Sequence, residues 1–151
     1  MISELDKNIN HRMAVIAALA KRLIYKSLND EGLEITPDQW ALLYYLWAED
    51  GLTVGEIAGL SKKDFSNVTR IIDKLVRDGY VEKRNDIRDK RSFRVFLRPK
   101  ANAIRERVEK VRNKTMSESI SGISSEDQEF LLEILRVMEA NISRQLYELD
   151  K

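Results

Sequence analysis

Between Lys63 and Leu97 the apolar residues change period once, and that change restricts what the chain can fold into. From Lys63 to Asp78 they recur at helical steps, with Phe65, Val68, Ile72, Leu75 and Val76 forming one stripe. After Gly79 the step shortens to two. Tyr80-Val81-Glu82-Lys83-Arg84 and Ser92-Phe93-Arg94-Val95-Phe96-Leu97 are expected as strands, the second setting Phe93, Val95 and Leu97 against Arg94 and Phe96. The polar stretch Asn85–Arg91 between them is then a hairpin tip.

Capping residues supply the other boundaries. Thr36-Pro37-Asp38-Gln39 offers an N-cap threonine, proline at the first helical position and glutamine at the capping-box position. Thr53-Val54-Gly55-Glu56, Ser61-Lys62-Lys63-Asp64 and Ser124-Ser125-Glu126-Asp127 repeat a cap-x-x-acid pattern. Gly32, Gly51, Gly79 and Gly122 fall where the preceding helices should stop. This punctuation predicts six helices: Leu5–Asn29, Pro37–Glu49, Val54–Gly59, Lys63–Asp78, one from Pro99 to about Ser121, and Ser125–Leu149. The first carries Leu5, Ile9, Met13, Ile16, Ala20 and Leu23 at helical spacing, and the second sets Trp40, Leu43, Tyr44 and Trp47 on one side. A short helix, a turn, a longer helix and a hairpin, in that order, make a winged helix-turn-helix. The expected fold class is mainly α with a small β-wing (α+β). A winged domain covers residues 37–99, and helical segments from both termini, 1–36 and 100–151, form a second region.

Charge is distributed unevenly over these parts. The chain carries a formal net charge of only +1. Residues 1–60 hold five basic and nine acidic side chains, residues 61–100 thirteen and six, and residues 101–151 eight and ten. A basic block between acidic flanks makes a local positive field that a polyanion would feel despite the neutral total.

The helix over Lys63–Asp78 divides into two faces. Opposite its apolar stripe lie Asn67, Arg70, Lys74 and Arg77, with Lys63 and Ser66 at the N-terminal end. A helix fits the major groove of B-DNA, and its N-terminal residues reach base edges. Asn67 can pair with adenine and Arg70 with guanine, each contact worth ~1–3 kcal/mol of discrimination. Lys74 and Arg77 are better placed for phosphates, which position a protein without reading sequence. Taken alone, such a face is more simply a solvated one. The hairpin shifts the balance: Arg88, Lys90, Arg91 and Arg94 crowd together beside Lys83 and Arg84. Like charges this close repel, and the crowding makes sense where a phosphate backbone or narrow minor groove accepts them. Protection of a sheet edge is the competing explanation. Asp86 and Asp89 are expected to pair with the neighbouring arginines and fix the shape of the tip.

At these residues the chain resembles the MarR family of transcriptional regulators. The family's wing follows Asp-x-Arg-Asp-x-Arg, which stands here as Asp86-Ile87-Arg88-Asp89-Lys90-Arg91. Ser66-Asn67-Val68-Thr69-Arg70-Ile71-Ile72-Asp73-Lys74-Leu75 followed by Gly79-Tyr80-Val81 is similar to its recognition helix and exit, and Thr53–Leu60 to the helix before. The chain departs from the family at Leu97-Arg98-Pro99-Lys100-Ala101, where a Thr and a Gly are missing from the wing-to-helix junction. Lys90 stands where the family's minor-groove arginine would, and lysine is the more strongly hydrated point charge.

The resemblance implies a cytoplasmic transcription factor that binds double-stranded DNA. It also implies that the N- and C-terminal helices of two subunits interlock into a homodimer. Val108, Val111, Ile120, Leu135, Met138, Ile142 and Leu146 are candidates for interface or core, which sequence alone does not separate. It further implies a small phenolic or lipophilic effector bound near His11, Arg12, Trp40 and Tyr44, although Trp40 and Tyr44 also suit a core stripe. The alternative function is a winged-helix protein–protein module that recognises an acidic partner. Nothing points to an enzyme: there is no glycine-rich phosphate loop, nucleophile elbow or HExxH helix. A single histidine and no cysteine leave no basis for a zinc or redox site, and no cofactor is expected. No apolar run approaches the ~20 residues that cross a bilayer, so no membrane association is expected.

Overall fold

The computed structural model describes residues 2–151. Seven helices and three strands follow one another as α1 (Ile2–Asp6), α2 (Ile9–Asp30), α3 (Pro37–Ala48), β1 (Leu52–Thr53), α4 (Val54–Ser61), α5 (Phe65–Arg77), β2 (Val81–Asn85), β3 (Phe93–Leu97), α6 (Pro99–Ser119) and α7 (Ser125–Leu149). The mainly helical fold with a small antiparallel sheet is the one expected, with three local differences. The helix expected over Leu5–Asn29 is broken before Ile9, because Asn8 is extended and its side chain accepts the His11 amide at 3.0 Å, opening a new helix. The helix expected from Lys63 starts at Phe65: Asp64 is its N-cap and accepts the Asn67 amide at 2.7 Å. Ser61 instead ends α4, and Lys62 turns the chain with a φ of 56°. The third difference is β1, too short for its periodicity to show in sequence.

The other caps form as expected. Thr36 and Thr53 each make a reciprocal capping box with the residue three positions on, Gln39 and Glu56, and Ser124 accepts the Asp127 amide. The sheet order is β1-β3-β2, with Leu52 opposite Val95, Val81 opposite Leu97 and Lys83 opposite Val95.

The chain divides into two compact units, one ending at Thr115 and the other running Met116–Lys151. The first has a continuous core. Leu28 of α2, Leu42, Leu43 and Leu46 of α3, Ile57 of α4, Val68, Ile71, Ile72 and Leu75 of α5, and Val81 and Val95 of the sheet are all buried, and Ala101 and Val108 of α6 join them. Val111 packs against this cluster, so Val108 and Val111 are intrachain core. Phe65 and Tyr44 depart from the stripes expected for them and are exposed. In the second unit α7 has no buried residue: Ile142 and Leu146 are exposed, while Leu135 and Met138 are half-buried.

Candidate nucleic-acid interface

α5 is held by its ends as well as by its stripe. At its C-terminus Gln39, buried in α3, donates from Nε2 to Asp78 Oδ2 at 2.9 Å while its Oε1 accepts the Thr36 amide at 3.0 Å. One side chain therefore caps α3 and ties that cap to the end of α5. At the other end Asp38 accepts from Lys21 Nζ at 3.1 Å and Lys63 Nζ at 3.4 Å. Burial pushes the Asp38 carboxyl up, but the two ammonium groups outweigh it and hold the group below its ordinary value. Lys63 is thus committed to an ion pair that fixes the turn into α5.

The outward face of α5 carries Ser66, Thr69, Arg70, Asp73, Lys74 and Arg77 around a shallow concavity of about 430 Å³. Arg70 donates from its guanidinium to Asn67 Oδ1 at 2.8 Å, so the two candidate base readers orient each other. Arg77 lies 3.9 Å from Asp78. Among the described residues, Arg70 and Lys74 have no carboxylate within ion-pair distance.

The wing is anchored from a corner that sequence reasoning treated only as a helix stop. Asp50 Oδ1 accepts the Gly51 amide at 3.0 Å and the Leu97 amide at 2.8 Å, and the Gly51 amide also donates to the Val95 carbonyl at 3.0 Å. Gly51 has a φ of +77°, and a Cβ there would lie 2.8 Å from the Phe96 ring. Its carbonyl accepts from Arg94 at 2.8 Å, and the same guanidinium reaches Asp86 Oδ1 at 3.4 Å. Arg94 thus braces the hairpin from within. Lys83 Nζ meets Asp73 at 2.7 Å and lies 5.4 Å from the centre of the Phe93 ring, which joins the wing to α5. Arg84 pairs with Glu82 and stacks on Phe96 at 4.4 Å.

At the tip the two aspartates act on backbone more than on guanidinium groups. Asp86 Oδ1 accepts the Arg88 amide at 3.1 Å and Asp89 Oδ1 the Arg91 amide at 2.9 Å. Asp86 N–H donates to the Ser92 carbonyl at 2.9 Å, and Ser92 N–H to that of Asp89 at 3.0 Å. The Asp86 carboxyl is held below its ordinary value by the Arg88 amide, against the effect of burial and with help from Arg94. Because the aspartates are occupied by amides, the exposed side chains of Arg88, Lys90 and Arg91 have no ion-pair partner among the described residues.

The predicted interface residues therefore divide. Ser66, Asn67, Arg70, Lys74 and Arg77 gather on α5, and Arg88, Lys90 and Arg91 at the wing tip. Lys63, Lys83 and Arg94 hold the two elements in place. Of the residues suggested for an effector site, Trp40 and Tyr44 meet edge to face at 6.5 Å, with Arg112 lying 4.6 Å from the centre of the Tyr44 ring. Arg12 pairs with Asp6 at 3.3 Å, and His11 is half-buried in the first turn of α2. The indole N–H groups of Trp40 and Trp47 are buried without a partner among the described residues. Asp50 and Gln39, which shape the interface from behind, could not be found from sequence, since their partners lie 47 and 39 residues away.

Residues 35–93 match the profile of the MarR family. A Bacillus subtilis protein named as the uncharacterized HTH-type transcriptional regulator YsmB is 27% identical over 126 residues, spanning 83% of this chain and 82% of that one. A MarR transcriptional regulator from Methanosarcina mazei superposes with a TM-score of 0.78 at 25% identity, covering 90% of this chain and 96% of its own. A mutant E. coli MarR solved with operator DNA superposes with a TM-score of 0.79 at 22% identity, covering 86% and 92%. At that identity the last likeness concerns the fold.

Proposed function

We propose that this chain, which belongs to the MarR family, binds a pseudo-palindromic DNA duplex as a homodimer and regulates transcription there. The observation that carries the reading is the set of uncommitted cations on two adjoining elements, Arg70 and Lys74 on α5 and Arg88, Lys90 and Arg91 at the wing tip. A protein has no folding reason to leave these side chains unpaired while the aspartates between them serve backbone amides. A phosphate backbone supplies the missing counter-charge. α5 enters the major groove, where Asn67 and Arg70 meet base edges, and the wing follows the adjacent backbone or minor groove.

Residues 37–99 form the DNA-binding domain, and residues 1–36 and 100–151 the dimerisation region. The exposed apolar side chains of α2 and α7 support the second assignment: Ile9, Ile16, Leu19, Ile142 and Leu146 all face outward in the single chain. Two copies place two recognition helices roughly one turn of DNA apart. The protein acts in the cytoplasm as a repressor rather than an enzyme. A small phenolic or lipophilic effector beside Trp40 and Tyr44 releases it, a reading supported by the unpartnered Trp40 indole N–H.

Substitution separates reading from anchoring. Arg70→Ala is expected to lower the preference for the selected duplex over random DNA by about 1–3 kcal/mol. Lys90→Ala and Arg91→Ala should weaken both duplexes alike and each reduce the salt slope by about one. Binding isotherms on both duplexes at several salt concentrations check this. Equal loss on both for Arg70→Ala would reduce Arg70 to a phosphate contact. Binding to an acidic protein with no duplex binding at low salt would favour the protein–protein alternative.

A further inference from the structure

We propose that Phe65 reads a thymine in the major groove through its C5-methyl group, an inference that rests on the DNA-binding reading above. The helical repeat sets Phe65 in line with Ile72 and Val76, yet it is 61% exposed, whereas Val68, Ile71, Ile72 and Leu75 of the same helix are buried. Its position explains the difference. Phe65 is the first residue of α5, and helical side chains lean toward the N-terminus, so its ring projects past the end of the helix and has no preceding turn to lie on.

That end is the one that leads into the groove in this class of motif. The first turn is locally fixed. Asp64 is occupied with the Asn67 amide at 2.7 Å, and the Thr69 hydroxyl donates to the Phe65 carbonyl at 2.9 Å. The ring is therefore carried on a rigid turn beside Ser66, Asn67 and Arg70. An aromatic side chain gains nothing from phosphates. The apolar group that the major groove offers is the thymine methyl, and phenylalanine is among the side chains that contact it. Polar recognition by Asn67 and Arg70 and apolar recognition by Phe65 would then specify neighbouring base pairs.

The test uses the full chain and a preferred duplex selected from a random pool, remade with deoxyuridine replacing one thymine at a time. Deoxyuridine lacks only the methyl group. One thymine in each half-site is expected to matter, its replacement weakening the native chain about fourfold, the worth of one buried methyl. Phe65→Ala should bind the thymine and deoxyuridine duplexes equally, while Phe65→Leu should keep most of the difference. The exposed position makes both variants unlikely to alter the fold, and thermal melting verifies that. Indifference of the native chain to every replacement overturns the proposal, as does an equal methyl dependence in Phe65→Ala. Salt-dependent duplex binding without methyl dependence overturns this inference alone. Absence of duplex binding at low salt overturns the DNA-binding reading with it.

Discussion

α5 and α7 are both amphipathic helices opened by a side-chain cap, and they finish in opposite conditions. α5 spans 13 residues and buries Val68, Ile71, Ile72 and Leu75 within its own chain. α7 spans 25 and buries none. The difference teaches where the single chain is complete. The winged lobe finds enough apolar surface in α2, α3, α4, the sheet and α6 to close its core without help. The stripe of α7 remains open to water, although its sequence pattern is as regular as that of α5. An apolar face of this length needs another surface, and a second copy of the same helix supplies one of matching chemistry.

Truncation of the two stripes is the strongest way to break this comparison. Leu75→Ala should destabilise the chain by about 2–5 kcal/mol, the usual cost of a leucine removed from a closed core. Leu146, 56% exposed, should cost the isolated chain within about 0.5 kcal/mol on the same change. Its effect should appear instead as a weaker self-association. Denaturant titration at low and high protein concentration distinguishes the two. A large, concentration-independent loss for Leu146→Ala would mean that α7 is packed within its own chain.

A smaller effect sharpens the account of the lobe. Gly51→Ala places a side chain at a φ of +77° and against the Phe96 ring, at a cost of roughly 1–3 kcal/mol. Because Gly51 also holds Arg94 and the β3 backbone, the loss should be accompanied by weaker duplex binding. A stability loss with unchanged binding would show that the corner does not position the wing.

The smallest effect is one of pH. The Asp86 carboxyl, held below its ordinary 3.8 chiefly by the Arg88 amide, contributes stability that is complete above the unfolded value and is lost as pH falls through the lower folded one. Amide exchange at Arg88, corrected for intrinsic rate, should therefore be unchanged from neutral pH down to about 3.8 and accelerate below it. Acceleration that begins well above that value would remove the Asp86 contact from the account.

Much of the fold was legible in sequence because caps and periodicity are local. Thr36, Thr53 and Ser124 open the helices they should, and the hairpin lies within a residue or so of its expected bounds. The failures arise where a local signal was ambiguous or absent. Asn8 looks like an ordinary polar position inside a helix until its backbone is seen to be extended. Ser61 and Asp64 both suit a cap, and only the left-handed Lys62 decides between them. Phe65 fits the stripe by period and escapes it by position. At the interface, sequence grouped all the cations together, because charge carries no record of partner. The division into uncommitted Arg70, Lys74, Arg88, Lys90 and Arg91 and internally paired Lys63, Lys83 and Arg94 depends on Asp38, Asp73, Asp86 and the Gly51 carbonyl, which fold brings near.

The central claim is that the basic face of the closed lobe meets DNA in two copies joined by the unfinished helices. Sedimentation of the full chain with its selected duplex, repeated across a range of salt, tests both halves at once. The account predicts two chains per duplex and an affinity that falls steeply with salt, at a slope of about −0.9 for each phosphate contacted. One chain per duplex, or an affinity insensitive to salt, would contradict it.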